Sequence, residues 1–205
     1  MSSSSAADHW SARFSGDEYH FGTEPNAFLA SQTARLRAGM SALCVADGEG
    51  RNGVWLARQG LRVTSFDLSP VGVEKAQRLA REAGVTLDVR VADINTWDWD
   101  AARYDVVAAI FIQFAAPAER ARIFAGMARA LAPGGLLLLQ GYTPRQLEYK
   151  TGGPSAAENL YDPALLRASF AQLEILQLAE HDDVVREGKG HSGMSALIDL
   201  VARKP

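Results

Sequence analysis

The stretch Ala42-Leu43-Cys44-Val45-Ala46-Asp47-Gly48-Glu49-Gly50-Arg51-Asn52-Gly53, answered by Thr64-Ser65-Phe66-Asp67, constrains this chain more than any other. It reads as an apolar strand, a glycine turn, a helix, a second strand and a carboxylate at that strand's end. Glycine has no Cβ, so the backbone can turn tightly there and approach a ligand closely. A carboxylate ending the next strand can accept hydrogen bonds from both hydroxyls of a ribose. Taken literally, Gly48-x-Gly50-x-x-Gly53 is a dinucleotide fingerprint, with Asp67 somewhat nearer than the usual twenty residues. Alone, such a pattern can equally be a tight corner that binds nothing; with Asp67 it predicts an adenosine-containing cofactor. It does not separate a nicotinamide dinucleotide from other adenosine cofactors.

The rest of the chain alternates strands and helices at the spacing of a doubly wound, mostly parallel α/β sheet. Strands are expected at residues 42–46, 62–66, 86–91, 104–110 and 136–140. Helices are expected at residues 51–59, from Pro70 to just before Gly84, and from Pro117 to Leu131, with Pro133-Gly134-Gly135 as a stop and turn. An earlier helix begins near Thr23 and Pro25 and runs to about Arg37. After residue 142 the rhythm breaks. A long loop at residues 143–161 and a helix at residues 163–170 precede strand-like runs at residues 173–179 and 195–202. No helix fits between those runs, so they should pair as an antiparallel hairpin. The expected organisation is a disordered tail at residues 1–7 and one domain at residues 8–205. Within it lie an N-terminal lid and helix (8–38), a cofactor-binding core (39–142) and an acceptor side (143–205).

Composition bounds the function. The 205 residues are 47% hydrophobic, enough for one sizeable core, and the net charge of −3 offers no general attraction to nucleic acid or anionic membrane. No apolar run approaches the roughly 20 residues that cross a bilayer. Neither a membrane nor a nucleic-acid partner is expected, and the cytoplasm is the expected location. A single cysteine, Cys44, excludes an intrachain disulfide framework, and His9, His20, His181 and His191 are too scattered for a metal spacing.

Several short elements in order give the chain a family likeness. They are Tyr19-His20-Phe21-Gly22-Thr23-Glu24-Pro25-Asn26, Gly48-Glu49-Gly50-Arg51-Asn52, Phe66-Asp67-Leu68-Ser69, Ala92-Asp93-Ile94, Tyr104-Asp105 and Leu131-Ala132-Pro133-Gly134-Gly135. From Trp10 onward the sequence resembles the class I S-adenosylmethionine-dependent methyltransferases, and among them the small enzymes akin to the tellurite-resistance methyltransferase. The resemblance implies a Rossmann-like sheet of seven strands with an antiparallel last strand, S-adenosylmethionine as cofactor, and a small-molecule methyl acceptor. It also implies roles. Ala46, Gly48 and Gly50 line the cofactor turn, Arg51 and Asn52 meet the cofactor carboxylate, and Asp67 takes the ribose hydroxyls. Leu68 lines the adenine, Asp93 accepts from its amino group and Ile94 packs on the ring, with Ser69 and Ala92 also in the cofactor site. Ile110 and Phe111 lie near the methionine portion, and Phe21 and Gly22, in the lid, also bind the cofactor. The family turn reads acidic-x-Gly-x-Gly-x-Gly, and here Cys44 and Ala46 replace the acidic residue and the first glycine. The alanine is accommodated if its φ is negative.

Methyl transfer from a sulfonium is an in-line displacement that mainly needs alignment and exclusion of water. A base is needed only for a protonated nucleophile. Tyr19, whose aromatic face could stabilise a sulfonium, and His191, in the glycine-rich segment Gly188-Lys189-Gly190-His191-Ser192-Gly193, are the candidate catalytic groups. The bland readings are a packing tyrosine and a solvated loop histidine. A nicotinamide-dependent oxidoreductase and a non-catalytic adenosine-binding relative are the alternatives.

Overall fold

The computed structural model describes residues 3–205. Its seven strands line up in one sheet in the order β3-β2-β1-β4-β5-β7-β6. The chain divides into two compact units, residues 1–97 with 187–190, and residues 98–186 with 191–205.

The first unit opens with helix α1 (Ser3–Phe14) and the short helix α2 (Ala27–Ser31). Residues 3–7 are therefore helical where a tail was expected; Met1 and Ser2 lie outside the described residues. The expected long helix to Arg37 is also cut short. The Ser31 and Thr33 hydroxyls bond back to the carbonyls of Phe28 and Ala30 at 2.6 Å each, and a 3-10 turn follows at Thr33–Arg35. Such local side-chain bonds compete with the helical ladder. Strand β1 (Ser41–Val45), helix α3 (Arg51–Arg58), strand β2 (Arg62–Asp67), helix α4 (Pro70–Glu82) and strand β3 (Asp88–Val91) follow the predicted rhythm. The three strands are parallel, with Val45 beside Phe66 and Asp67 beside Val91. Residues 42–45 are buried throughout, as a parallel strand covered on both faces requires. Helix α4 starts on an N-cap, Ser69, whose side chain accepts from Gly72 N, with Pro70 in its first turn.

The second unit holds strand β4 (Tyr104–Ile110), helix α5 (Pro117–Ala130) and strand β5 (Leu131–Tyr142). Strand β5 starts five residues before the expected Leu136. The pairing runs Tyr104 with Leu131 and then Val106 with Leu136, so Pro133-Gly134-Gly135 is an irregularity inside the strand. The long loop contains helix α6 (Gln146–Tyr149), a 3-10 turn at Ala157–Asn159 and, after it, helix α7 (Pro163–Ser169). Gln146, almost fully buried, pins this region: its Oε1 accepts from Ala196 N and its Nε2 donates to Thr151 Oγ1 and the Gly152 carbonyl.

Strands β6 (Glu174–Glu187) and β7 (His191–Arg203) form the expected hairpin, but far longer than expected, with a tip of only Gly188-Lys189-Gly190. The polar run His181-Asp182-Asp183 hid the strand because β6 is the sheet's outer strand and stays largely exposed. Strand β7 runs antiparallel to β5, pairing Tyr142 with Leu197. Beside that contact a polar row crosses the strands: Asp199 accepts from Gln140 Nε2 at 2.7 Å and meets His181 Nε2 at 3.0 Å.

Candidate cofactor and acceptor site

The glycine turn joins β1 to α3 through three left-handed residues, Ala46 (φ 49°), Gly48 (φ 58°) and Gly50 (φ 87°). Ala46 thus carries the positive φ that its predicted tolerance ruled out, and its Cβ makes this a strained position. The glycines are required for a different reason from the one expected. A Cβ on Gly50 would come 2.5 Å from the Ala76 Cβ on α4, and one on Gly48 would come 3.2 Å from the Phe14 ring. Helix packing closes on this turn, so Gly50 makes room for α4 rather than for a ligand.

Asp67, at the end of β2, is buried and held from both sides. Its Oδ2 accepts from Gly48 N and its Oδ1 from Ser69 N, each at 2.9 Å. Burial raises its pKa above the ordinary carboxylate value, and these backbone donors oppose the rise. The Leu68 N–H bears on the carboxylate as well; with about four acceptor positions, the carboxylate keeps capacity for a ribose hydroxyl. The residues present therefore fit an adenosine ribose. Ala92 N donates to the Asp67 carbonyl, which sets the end of β3 beside it. Ile94 is buried and Leu68 half-buried. Asp93 accepts from Asn95 N at 2.9 Å in a turn of its own. The Ser69 hydroxyl is engaged as the α4 cap and meets Ser11 Oγ of α1 at 2.9 Å, so its role here is structural.

Arg51 and Asn52 are also placed otherwise than the resemblance implies. Arg51 pairs with Glu187, the last residue of β6 before the hairpin tip, at 2.5 Å and donates to the Glu24 carbonyl. Asn52 Oδ1 accepts from Asn26 N at 3.0 Å. Glu187 further accepts from Asn26 Nδ2 and Ala27 N. Phe21 and Gly22 lie under the same tip: Lys189 N and Gly190 N both donate to the His20 carbonyl, and a Cβ on Gly190 would strike the Phe21 ring. Glu49, inside the glycine turn, accepts from His20 N at 2.7 Å and pairs with Lys75 at 2.5 Å. Lys75 in turn donates to the carbonyls of Phe14, Gly16 and Glu18. The segment expected to be a lid is thus fastened by two buried ion pairs. Tyr19, one of the two candidate catalytic groups, packs on Val54, Leu79 and Ala80, and its hydroxyl donates to the Lys75 carbonyl. That contact makes it an anchor of the segment on α4.

In the second unit Ile110 ends β4, and Phe111 follows it at φ 55°, its N–H donating to the Gln140 carbonyl. The Phe111 ring stacks on Tyr142 with centroids 4.6 Å apart, and His191 lies 4.4 Å from Phe111 and 5.9 Å from Tyr142. His191 opens β7 and rests half-buried on this aromatic pair, so the solvated-loop reading does not hold. Gln113 fixes the arrangement: its Oε1 accepts from Tyr142 N and its Nε2 donates to the Tyr142 and Asn159 carbonyls. Among the described residues no group of His, Cys, Asp and Glu could hold a metal ion, and no helix is long and apolar enough to cross a membrane.

The reading from sequence missed Asp47, Glu49, Lys75, Gln113 and Glu187. Lys75 left a signal, since it interrupts the apolar stripe of Gly72, Ala76 and Leu79 on α4. Asp47 lay inside the motif itself. Its Oδ2 accepts from Gly53 N at 3.0 Å and from Ser65 Oγ at 3.2 Å. Burial pushes its pKa up to about 7, against the opposing effect of these bonds and of Arg51.

Residues 42–135 match the family model described as a methyltransferase domain. Over 86 residues the chain is 35% identical to the ubiquinone biosynthesis O-methyltransferase of Methylocella silvestris, a match covering 40% of this chain and 32% of that protein. The match therefore spans about a third of that relative's length. Among solved structures, the magnesium protoporphyrin IX methyltransferase of Synechocystis, with bound SAH, aligns over 99% of both chains at a TM-score of 0.73 and 17% identity. TehB from Haemophilus influenzae aligns over 97% of this chain and 67% of its own at 0.71 and 16%. At such identities these likenesses establish the fold. By that matched segment and by its fold, the chain is similar to the S-adenosylmethionine-dependent methyltransferases.

Proposed function

We propose that the protein transfers a methyl group from S-adenosylmethionine to a small-molecule acceptor by in-line displacement. The observation that carries the reading is Asp67, placed at the end of β2 and oriented by the glycine turn through Gly48 N. Asp67 takes the two ribose hydroxyls, Asp93 and Ile94 receive the adenine, and the backbone of residues 46–50 receives the amino-acid end. Bound there, the cofactor supplies an electrophilic methyl on a positively charged sulfur. The fastened segment 19–26 excludes water, which would otherwise compete with the acceptor. The acceptor side falls to Phe111 and His191. Phe111 presents a flat apolar surface held by Tyr142, and the His191 imidazole orients a protonated nucleophile or takes its proton near neutral pH.

Calorimetric titration with S-adenosylhomocysteine and with NAD tests the cofactor. S-adenosylhomocysteine should bind the wild type, and Asp67→Ala should lose about 1.5–3 kcal/mol, the worth of a charge-assisted acceptor. Unchanged affinity in a folded variant, or binding of NAD alone, would overturn the reading. With an acceptor in hand, His191→Ala should lower turnover and leave cofactor affinity nearly intact.

A further inference from the structure

The family's turn begins with an acidic residue, and this chain has Cys44 there, buried in β1 with no room for solvent. Three residues on, Asp47 reaches the two elements that flank the turn. Its Oδ2 joins α3 through Gly53 N and β2 through Ser65 Oγ. The fit at Gly53 is specific, because a Cβ there would lie 2.7 Å from that same oxygen. Gly53 is thus explained by Asp47 rather than by a cofactor. Asp47 also lies between the two left-handed residues Ala46 and Gly48, and its carbonyl accepts from Gly50 N at 3.0 Å. One residue therefore ties the turn to α3, to β2 and to its own last glycine.

We propose that Asp47 is the positioning carboxylate of the cofactor turn, standing in for the acidic residue absent at Cys44, and that its negative charge favours the cationic cofactor. The proposal rests on the methyltransferase reading. The charged and titratable groups around Asp47 are few. Arg51 on α3 favours the carboxylate, Asp67 on β2 opposes it, and the buried Cys44 thiol of β1 is itself pushed up by burial and by the Asp47 charge. Leu87, which lies against Gly53, adds only apolar surface. With burial dominating, Asp47 keeps its proton up to about pH 7 in the free protein. A cation brought beside it favours the ionised form, so binding releases a proton in the neutral range.

Calorimetry with S-adenosylmethionine from pH 5.5 to 8.5, in buffers of different ionisation enthalpy, reads this release directly. The wild type should release a proton between about pH 6 and 7.5, a window set by the raised Asp47 value. Asp47→Asn keeps an oxygen for Gly53 N and Ser65 Oγ but carries no charge. It should bind about tenfold more weakly than the wild type at pH 8, match it at pH 5.5 and lose that release. Because the cofactor's own amino group titrates identically with both proteins, the difference between them isolates Asp47. Asp47→Ala, lacking the acceptor, should bind more weakly at every pH. If Asp47→Asn matches the wild type in affinity at pH 8 and in proton release, the assignment is overturned. If the wild type binds at no pH, the methyltransferase reading falls with it.

Discussion

Lys75 Nζ lies 2.5 Å from Glu49 Oε1, and the two side chains expose only 6% and 2% of their surfaces. Glu49 belongs to the glycine turn and Lys75 to the middle of α4, and between them they hold the backbone from Phe14 to His20. Removing one member of a buried ion pair leaves the other charge uncompensated, at a cost of about 3–5 kcal/mol. Lys75→Ala should therefore lower unfolding stability by about that amount. The double variant with Glu49→Ala should fall well short of the sum of the two single losses. Urea unfolding of the four proteins gives the coupling; additive losses would contradict the pairing.

Ala46 at φ 49° predicts a stabilising substitution. A left-handed conformation costs an L-residue roughly 1–2 kcal/mol, part of which is recovered in the unfolded-state entropy that glycine adds. Ala46→Gly should raise stability by about 1 kcal/mol or less, read as a higher urea midpoint at unchanged slope. A lower midpoint would show that the Ala46 methyl makes packing contacts that outweigh the strain.

The pH dependence of stability should carry the mark of Asp47. Its folded pKa, about 7, lies above the ordinary carboxylate value, so the folded state binds the extra proton in the interval between the two. This group's contribution is therefore most favourable at low pH, declines as pH rises from about 4 toward 7, and stays lost above. Asp47→Asn should gain stability over the wild type at pH 8 and gain little at pH 4.5. Thermal unfolding at the two values measures the difference.

Glu187 predicts an effect on the fastened N-terminal segment. Its carboxylate serves Arg51, Asn26 Nδ2 and Ala27 N together. Glu187→Ala should speed amide hydrogen exchange over residues 20–29 in the ligand-free protein while leaving the strands of the first unit protected. Equal exchange would mean that Glu49 and Lys75 alone hold the segment.

Local physics made much of this protein legible from its sequence. Pro70 and Pro117 marked helix starts because a missing N–H costs nothing in the first turn. The apolar run at residues 136–140 marked a strand buried on both faces, and Asp67 was placed by its position at a strand end. The second half of β6, residues 180–187, escaped notice because an outer strand need not alternate apolar and polar residues where it meets water. Helix α6 escaped because the Gln146 contacts that fix it come from Ala196, fifty residues away.

The sequence by itself determined the order of elements, the hairpin at the end and the strand-end place of Asp67, since each depends on periodicity, turn chemistry or strand position. Only the tertiary structure decided which charges pair. Arg51 was free to meet a cofactor until Glu187, 136 residues on, was brought to it, and Gly50 could have faced a ligand until α4 placed Ala76 against it. Distant segments compete for the same short side chains, and burial rewards the partner that satisfies a charge most completely. Tertiary packing likewise set His191 on the Phe111 and Tyr142 rings and Tyr19 on α4 through the Lys75 carbonyl, contacts between segments far apart in the sequence.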